Sequence, residues 1–335
     1  MRKDLQEAGF EERHFHTGEI HLNYVVGPDH GPALVLIPAQ MGIWETYLPN
    51  LIPLSERFQV YAIDVRGHGG SDWTTGDYSW ASIGRDMTAF LSQVVQRPAI
   101  LSGNSSGGII ALWCAANIPE WVSGLVLEDA PVFSVEMPRF RDQDKFVYEG
   151  LARYVKNLGD LKNRDLANYF RGQVLPVNEG RREKRMPDWF VSVMSFLIRR
   201  WQKAHPGEPV DIAYFPGVMR VLFKSISTFD PDFAQAFVDG RMYEGLDHSE
   251  ALKRVQCPVL VMHANWFRHP KYGLVGALDD QDVARIQRLV PQAQVVKIPA
   301  NHVIHRYKPK EFHAAIEDFA AQHRLFQQNI SQTYA

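Results

Sequence analysis

Short apolar runs alternate with stretches of helical spacing through the first part of the chain. Ala33-Leu34-Val35-Leu36-Ile37, Val60-Tyr61-Ala62-Ile63-Asp64, Ala99-Ile100-Leu101-Ser102 and Val122 to Leu127 are of strand length. Continuous apolar runs of this kind predict strands buried on both faces. Upstream, Glu11 to Val26 reads as a hairpin turning at Thr17-Gly18. Thr46 to Arg57 fits a helix with prolines in it, and Trp80 to Val95 a helix with Ile83, Met87, Phe90, Leu91 and Val94 on one face. Ile109 to Asn117 is apolar and free of Pro and Gly, the pattern of a buried helix.

The pattern changes after Phe133. From Ser134 to about His248 the spacing is helical, rich in charge and aromatics, with no run that reads as a buried strand. Strands resume at Val259 to Met262 and Val295 to Ile298, with a helix from Asp282 to Leu289 between them. Pro309 to Phe326 makes a closing helix, its proline tolerated in the first turn. Strand–helix alternation interrupted once by a helical block predicts a mostly parallel α/β sheet carrying a cap. The expected division is a core of residues 1–133 and 249–335 and a helical cap of residues 134–248.

Composition narrows the function classes. The chain has 335 residues, 45% of them hydrophobic, and a net charge of -2. That balance gives no electrostatic case for nucleic acid or an anionic membrane. No run reaches the apolar length of a transmembrane helix, and Met1 to Phe10 is charged rather than signal-like. Cys114 and Cys257 read as free thiols, so a cytoplasmic location is expected. The cluster His14, His16 and His21 fits alternating strand faces, and neither a metal nor another cofactor is expected.

The chemistry gathers where the strands end, which is where such sheets bind ligands. Gly103-Asn104-Ser105-Ser106-Gly107 is a G-x-S-x-G set between a strand and a helix, the context of a nucleophile elbow. Glycines at its two ends remove Cβ clashes that so sharp a turn against a packed helix would create. A serine nucleophile needs a base, itself oriented by a third group. His302, directly after the last strand, is the candidate base, with His305 second. Where the strand before Phe133 ends, Glu128 and Asp129 are adjacent, so only one can face the site. Asp129 is the preferred acid, with Glu128, Asp279 and Asp280 as alternatives; helix capping accounts for the last two without catalysis. Oxyanion donors are expected in the N–H of Ser106 and of Gln40, or of Met41 instead. The Gln40 side chain is equally placed to meet a substrate. Trp44, Phe133, Trp189 and Tyr214, with further aromatics such as Phe146 and Phe223, are candidates for an apolar binding wall. Arg181 to Arg185 reads as a solvated face.

These motifs resemble the capped α/β-hydrolases over nearly the whole chain. More narrowly, LIPAQMGIW, AIDVRGHGGSDW, GNSSGG, LEDAP, GLVGALDD and the His302 segment are similar to bacterial zearalenone lactonases. Those are serine hydrolases that open the macrolactone ring of a resorcylic mycotoxin. The resemblance implies an α/β-hydrolase fold, a Ser105–Asp129–His302 triad, oxyanion donors at Gln40 and Ser106, and a homodimer. The expected function is hydrolysis of a bulky apolar carboxylic ester or lactone through an acyl-enzyme. Carbon–carbon bond hydrolysis, general carboxylesterase or perhydrolase activity on the same triad, and a non-catalytic ligand receptor are the alternatives. Family members with dehalogenase or epoxide hydrolase activity carry Asp where Ser105 stands.

Overall fold

A computed structural model describes residues 2–177 and 182–326. Among these described residues twelve strands form in chain order: β1 (Glu11–His16), β2 (His21–Val26), β3 (Ala33–Ile37), β4 (Gln59–Ile63), β5 (Ala99–Asn104), β6 (Val122–Glu128), β7 (Val174–Val177), β8 (Arg182–Arg185), β9 (Val259–His263), β10 (Phe267–His269), β11 (Gly273–Val275) and β12 (Gln294–Lys297). Eight of them make the main sheet in the order β1-β2-β4-β3-β5-β6-β9-β12. Strand β2 pairs antiparallel with β1 and β4, and every pairing from β4 to β12 is parallel. The sequence pattern's mostly parallel central sheet is thus observed, and it lies between two layers of helices.

Burial explains why the apolar runs become strands. All residues of β3, β5 and β9 are buried, because helices cover both faces of the sheet. On one face pack the helices Trp80–Phe90 and Ser106–Asn117; on the other, Leu48–Ser55 and Pro309–Gln322. The helix Ser106–Asn117 buries residues all round its circumference and runs beneath the sheet end that carries Ser105.

Several elements depart from their sequence pattern for local reasons. The stretch predicted as a helix from Thr46 begins as a 3₁₀ turn, Trp44–Tyr47, before the α-helix Leu48–Ser55, which has one proline in its first turn and Pro53 inside. The helix expected over Trp80 to Val95 starts at a Ser79–Ser82 capping box and loosens into a π turn at Leu91–Val95. The closing helix stops at Gln322 rather than Phe326. The charged run is strand β8 over Arg182–Arg185 and is exposed throughout; its first member, Arg181, lies outside the described residues. Strands β7 and β8 add a small hairpin to the helical insertion, and β10 and β11 add another after β9; neither was legible as an apolar run.

The insertion between β6 and β9 leaves and returns at one place. Phe133 N–H donates to His248 Nδ1 at 3.0 Å, and the His248 N–H donates to Glu136 Oε1 at 3.3 Å. An ionic cluster joins it to the core further on. Arg139 is bidentate to Asp282 at 2.5 and 2.8 Å and bonds Asp144 at 2.6 Å, while Arg268 bonds Asp144 at 2.7 Å and also Asp279. Buried carboxylates are tolerated here because each faces a guanidinium. No helix among the described residues is long and apolar enough to cross a membrane.

Candidate active site

Ser105 sits between β5 and the helix Ser106–Asn117 with φ +55 and ψ -123. That conformation is costly for a residue with a Cβ, and persists where its surroundings over-determine it. The constraint is visible at the flanking glycines. A Cβ on Gly103 would stand 2.1 Å from the Gly107 carbonyl oxygen, and one on Gly107 would stand 2.2 Å from the Ile37 carbonyl oxygen. Backbone meets backbone at both, so neither neighbour can yield. Gly107→Ala is therefore expected to destabilise the protein by about 3 kcal/mol. Chemical denaturation measures it, and an unchanged midpoint would contradict this close approach.

Asp129 follows the last residue of β6, with φ +41, and is 1% exposed. Its Oδ2 lies 2.7 Å from His302 Nδ1, and its Oδ1 accepts the Ala264 N–H at 3.3 Å. An ionised carboxylate only accepts, so the imidazole proton sits on Nδ1 and Nε2 is left with a free lone pair. Burial works against the imidazolium, but the hydrogen bond and charge of Asp129 and the charge of Glu128 outweigh it. The His302 pKa is accordingly held above the ordinary imidazole value. Asn104 Nδ2 donates to the His302 carbonyl at 2.9 Å and steadies the loop from below. Ser105 and His302 line one cavity, with no hydrogen bond between them.

The alternative acids have other partners. Glu128 points to the opposite side of β6 and pairs with His305. Asp279 caps the helix Asp280–Leu289 by accepting the Asp282 N–H at 2.9 Å, and it bonds Arg268. Asp280 is largely exposed and accepts the Trp266 indole N–H at 3.1 Å. Of the four carboxylates weighed, Asp129 is the one joined to His302.

The loop after β3 carries the remaining N–H groups. Met41, at φ +61, donates its N–H to His68 Nε2 at 3.1 Å. His68 in turn donates from Nδ1 to the Arg66 carbonyl at 3.0 Å, and burial pushes its pKa down to about 4, so the ring is neutral. With Met41 engaged, the Gln40 N–H, on a residue that lines the cavity, has no acceptor among the described residues, as is also true of the Ala39 N–H. Ser106, as the first residue of its helix, has no intrahelical acceptor for its N–H. The Gln40 side chain lines the cavity, and its buried Nε2 has no partner among the described residues. The part played by His68, packed against Phe229 and Phe233 of the insertion, was not read from the sequence. Its place in the RGHGGS loop was the available signal.

The cavity holds about 590 Å³ and is bounded by Gln40, Trp80, Ile109, Phe140, Phe237 and Leu274 among others. Of the wall residues named from sequence, all but Phe146 fall elsewhere. Trp44 is buried in the core on the far face of the sheet, its indole N–H bonded to Glu12 Oε1. Phe133 is buried beneath the Arg285 guanidinium, 3.8 Å from its ring centroid. Trp189 and Tyr214 are exposed, at 68% and 71%. Phe146 reaches the cavity; Phe223 is core. Aromatic character marked burial or a surface, and which buried faces border a void depended on how the insertion docks. Among the described residues no group of three or more His, Cys, Asp or Glu is gathered for a metal.

Comparisons with known proteins agree with this architecture. A family model described as the alpha/beta hydrolase fold matches residues 32–309. The chain is 30% identical over 129 residues to a 2-(acetamidomethylene)succinate hydrolase of Mesorhizobium japonicum, covering 38% of this chain and 46% of that protein. It is also 30% identical over 148 residues to a fluoroacetate dehalogenase of Burkholderia sp, covering 42% and 46% respectively. The chain thus spans less than half the length of each of these relatives. The crystal structure of the carboxylesterase CesB (YbfK) from Bacillus subtilis is similar with a TM-score of 0.65 at 18% identity, over 95% of this chain and 94% of that one. With its elbow, its sheet order and a family match over most of its length, this chain belongs to the alpha/beta hydrolase fold family.

Proposed function

We propose that the protein is a serine hydrolase of carboxylic esters, acting on a bulky apolar ester or lactone. One observation carries this reading: the 2.7 Å Asp129–His302 pair stands at a cavity that Ser105 shares. In this reading Ser105 Oγ attacks the carbonyl carbon while His302 Nε2 takes its proton. Asp129 keeps the imidazole in the Nδ1–H form and stabilises its charged state. The Gln40 and Ser106 N–H groups receive the tetrahedral oxyanion. His302 then protonates the departing alkoxide and afterwards activates the water that releases the acid. In a lactone the departing alcohol stays tethered to the acyl group, so water must outcompete ring closure.

Substrate size and polarity follow from the wall. The cavity is of ordinary ligand size, and its lining is mostly apolar. The carboxylate among its lining groups, Asp144, is saturated by Arg139, Arg268 and the Leu274 N–H, so it offers little to a polar ligand. In this reading the insertion acts as a cap. A macrolactone of the zearalenone type is the member of this substrate class to which the motif resemblance points, and the carboxylesterase neighbour supports ester chemistry. A panel of aryl esters and macrolactones against the purified protein tests the reading, with fluorophosphonate labelling of Ser105 alongside. Turnover and labelling that both vanish in His302→Ala are expected. Absence of labelling would overturn the reading in favour of a receptor.

The pH profile has a definite sign. The base works only when neutral, so a raised His302 pKa means activity is lost as pH falls through that raised value. The acidic limb of kcat/KM is expected to have its midpoint above about 6.5. A midpoint below about 6 would contradict the Asp129 pairing as the dominant influence.

A further inference from the structure

We propose that Glu128 and His305 form a second carboxylate–imidazole pair that holds the His302 loop in register with the strand end bearing Asp129, making Glu128 a positioning residue for the base. The proposal rests on the serine-hydrolase reading above. Glu128 is fully buried and His305 is 1% exposed. Glu128 Oε1 accepts the His305 backbone N–H at 2.8 Å and stands 2.9 Å from its Nδ1, as does Oε2. The His305 ring stacks on Tyr47 with centroids 4.0 Å apart. Its carbonyl accepts Asn50 Nδ2 at 3.0 Å, and Asn50 Oδ1 lies 2.8 Å from His313 Nε2 on the closing helix. Backbone N–H, ring and carbonyl of His305 are each gripped.

The placement matters because His302 lies three residues upstream in the same segment. Residues 128 and 129 project to opposite sides of the strand end. Asp129 therefore holds His302 on the cavity side while Glu128 holds His305 behind it. One strand end clasps one loop at two points. The Glu128 carbonyl also accepts the Ser105 N–H at 3.0 Å and Asn104 Nδ2 at 3.2 Å. Nucleophile, acid and base loop are thus all neighbours of one residue. A buried carboxylate costs more than an apolar side chain of the same size, so packing alone does not call for one here. Positioning does, since an error of about 1 Å in catalytic geometry costs roughly 10²-fold in rate.

The second consequence is electrostatic. Glu128 adds its charge to that of Asp129 in favouring the His302 imidazolium. The titratable groups facing this cluster are Asp129 from β6, His302 and His305 from the loop, Tyr47 from the turn after β3, and His313 through Asn50.

The test is Glu128→Gln, which keeps size and an acceptor oxygen but removes the charge. Its kcat on an aryl ester is expected to fall about tenfold with KM within about twofold. The His302 imidazole, followed by nitrogen-15 NMR, is expected to titrate about half a pH unit lower. His305→Phe, which keeps an aromatic ring on Tyr47 but leaves the Glu128 carboxylate only the backbone N–H of residue 305, is expected to lose kcat similarly. A folded Glu128→Gln protein with wild-type kcat and an unmoved His302 titration would overturn the proposal. Should that variant not fold, wild-type kcat in His305→Phe overturns it instead. Failure of the wild type to hydrolyse esters or to take the fluorophosphonate would mark failure of the functional reading, whereas the titration judges Glu128 without any substrate.

Discussion

Ser105→Ala is expected to lower kcat by about 10⁴ to 10⁶ while leaving the protein folded. Alanine keeps the Cβ that the elbow already accommodates at φ +55, and it removes only the hydroxyl. The backbone bond from Ser105 N–H to the Glu128 carbonyl does not involve that hydroxyl, so the turn is expected to survive. Circular dichroism and thermal unfolding check the fold, and turnover of an aryl ester checks the chemistry. The residual rate reports what the cavity and the Gln40 and Ser106 N–H groups achieve without a nucleophile. Hydrolysis at the wild-type rate would move the active site elsewhere.

Asp129→Asn is expected to cost about 10⁴ in kcat with little change in binding. The carboxamide fits the same space, but it presents an N–H as readily as an oxygen to His302 Nδ1. The imidazole then loses its enforced tautomer and the charge that stabilises its protonated form. Asp280→Asn is the control, since that side chain is mostly exposed and among the described residues is joined to Trp266 and, at 4.0 Å, His263. Its kcat is expected to stay within about twofold of wild type. Equal losses in both variants, measured on one ester, would leave the acid unassigned; a loss confined to Asp280→Asn would reverse the assignment.

Much of this architecture was legible in the sequence because it is written in local patterns. The runs that became β3, β4, β5, β6 and β9 are mostly apolar on both faces of the pleat, as strands covered on both sides require. The elbow was legible because its glycines answer to contacts a few residues away. The pair Glu128-Asp129 could be divided by pleat alone, but which member faced the cavity depended on a loop 173 positions later in the chain. Strands β10 and β11 escaped because each is three residues long with few buried side chains. The cavity wall escaped for a different reason. Trp80 and Phe237 carry the same helical spacing as any core residue, and only the docking of the insertion leaves a void beside them. Trp189 and Tyr214 have the composition of a wall but sit on the outer surface.

The contact between Phe133 and His248 bears on how such a protein diversifies. A segment that departs from and rejoins its scaffold at a single spot can be replaced wholesale by recombination without altering the register of any neighbouring strand. Ser105, Asp129 and His302 belong to the part that carries the main sheet, while Phe140, Phe146 and Phe237 of the cavity wall belong to the inserted piece, so exchanging that piece would reshape the cavity and leave those three side chains in place.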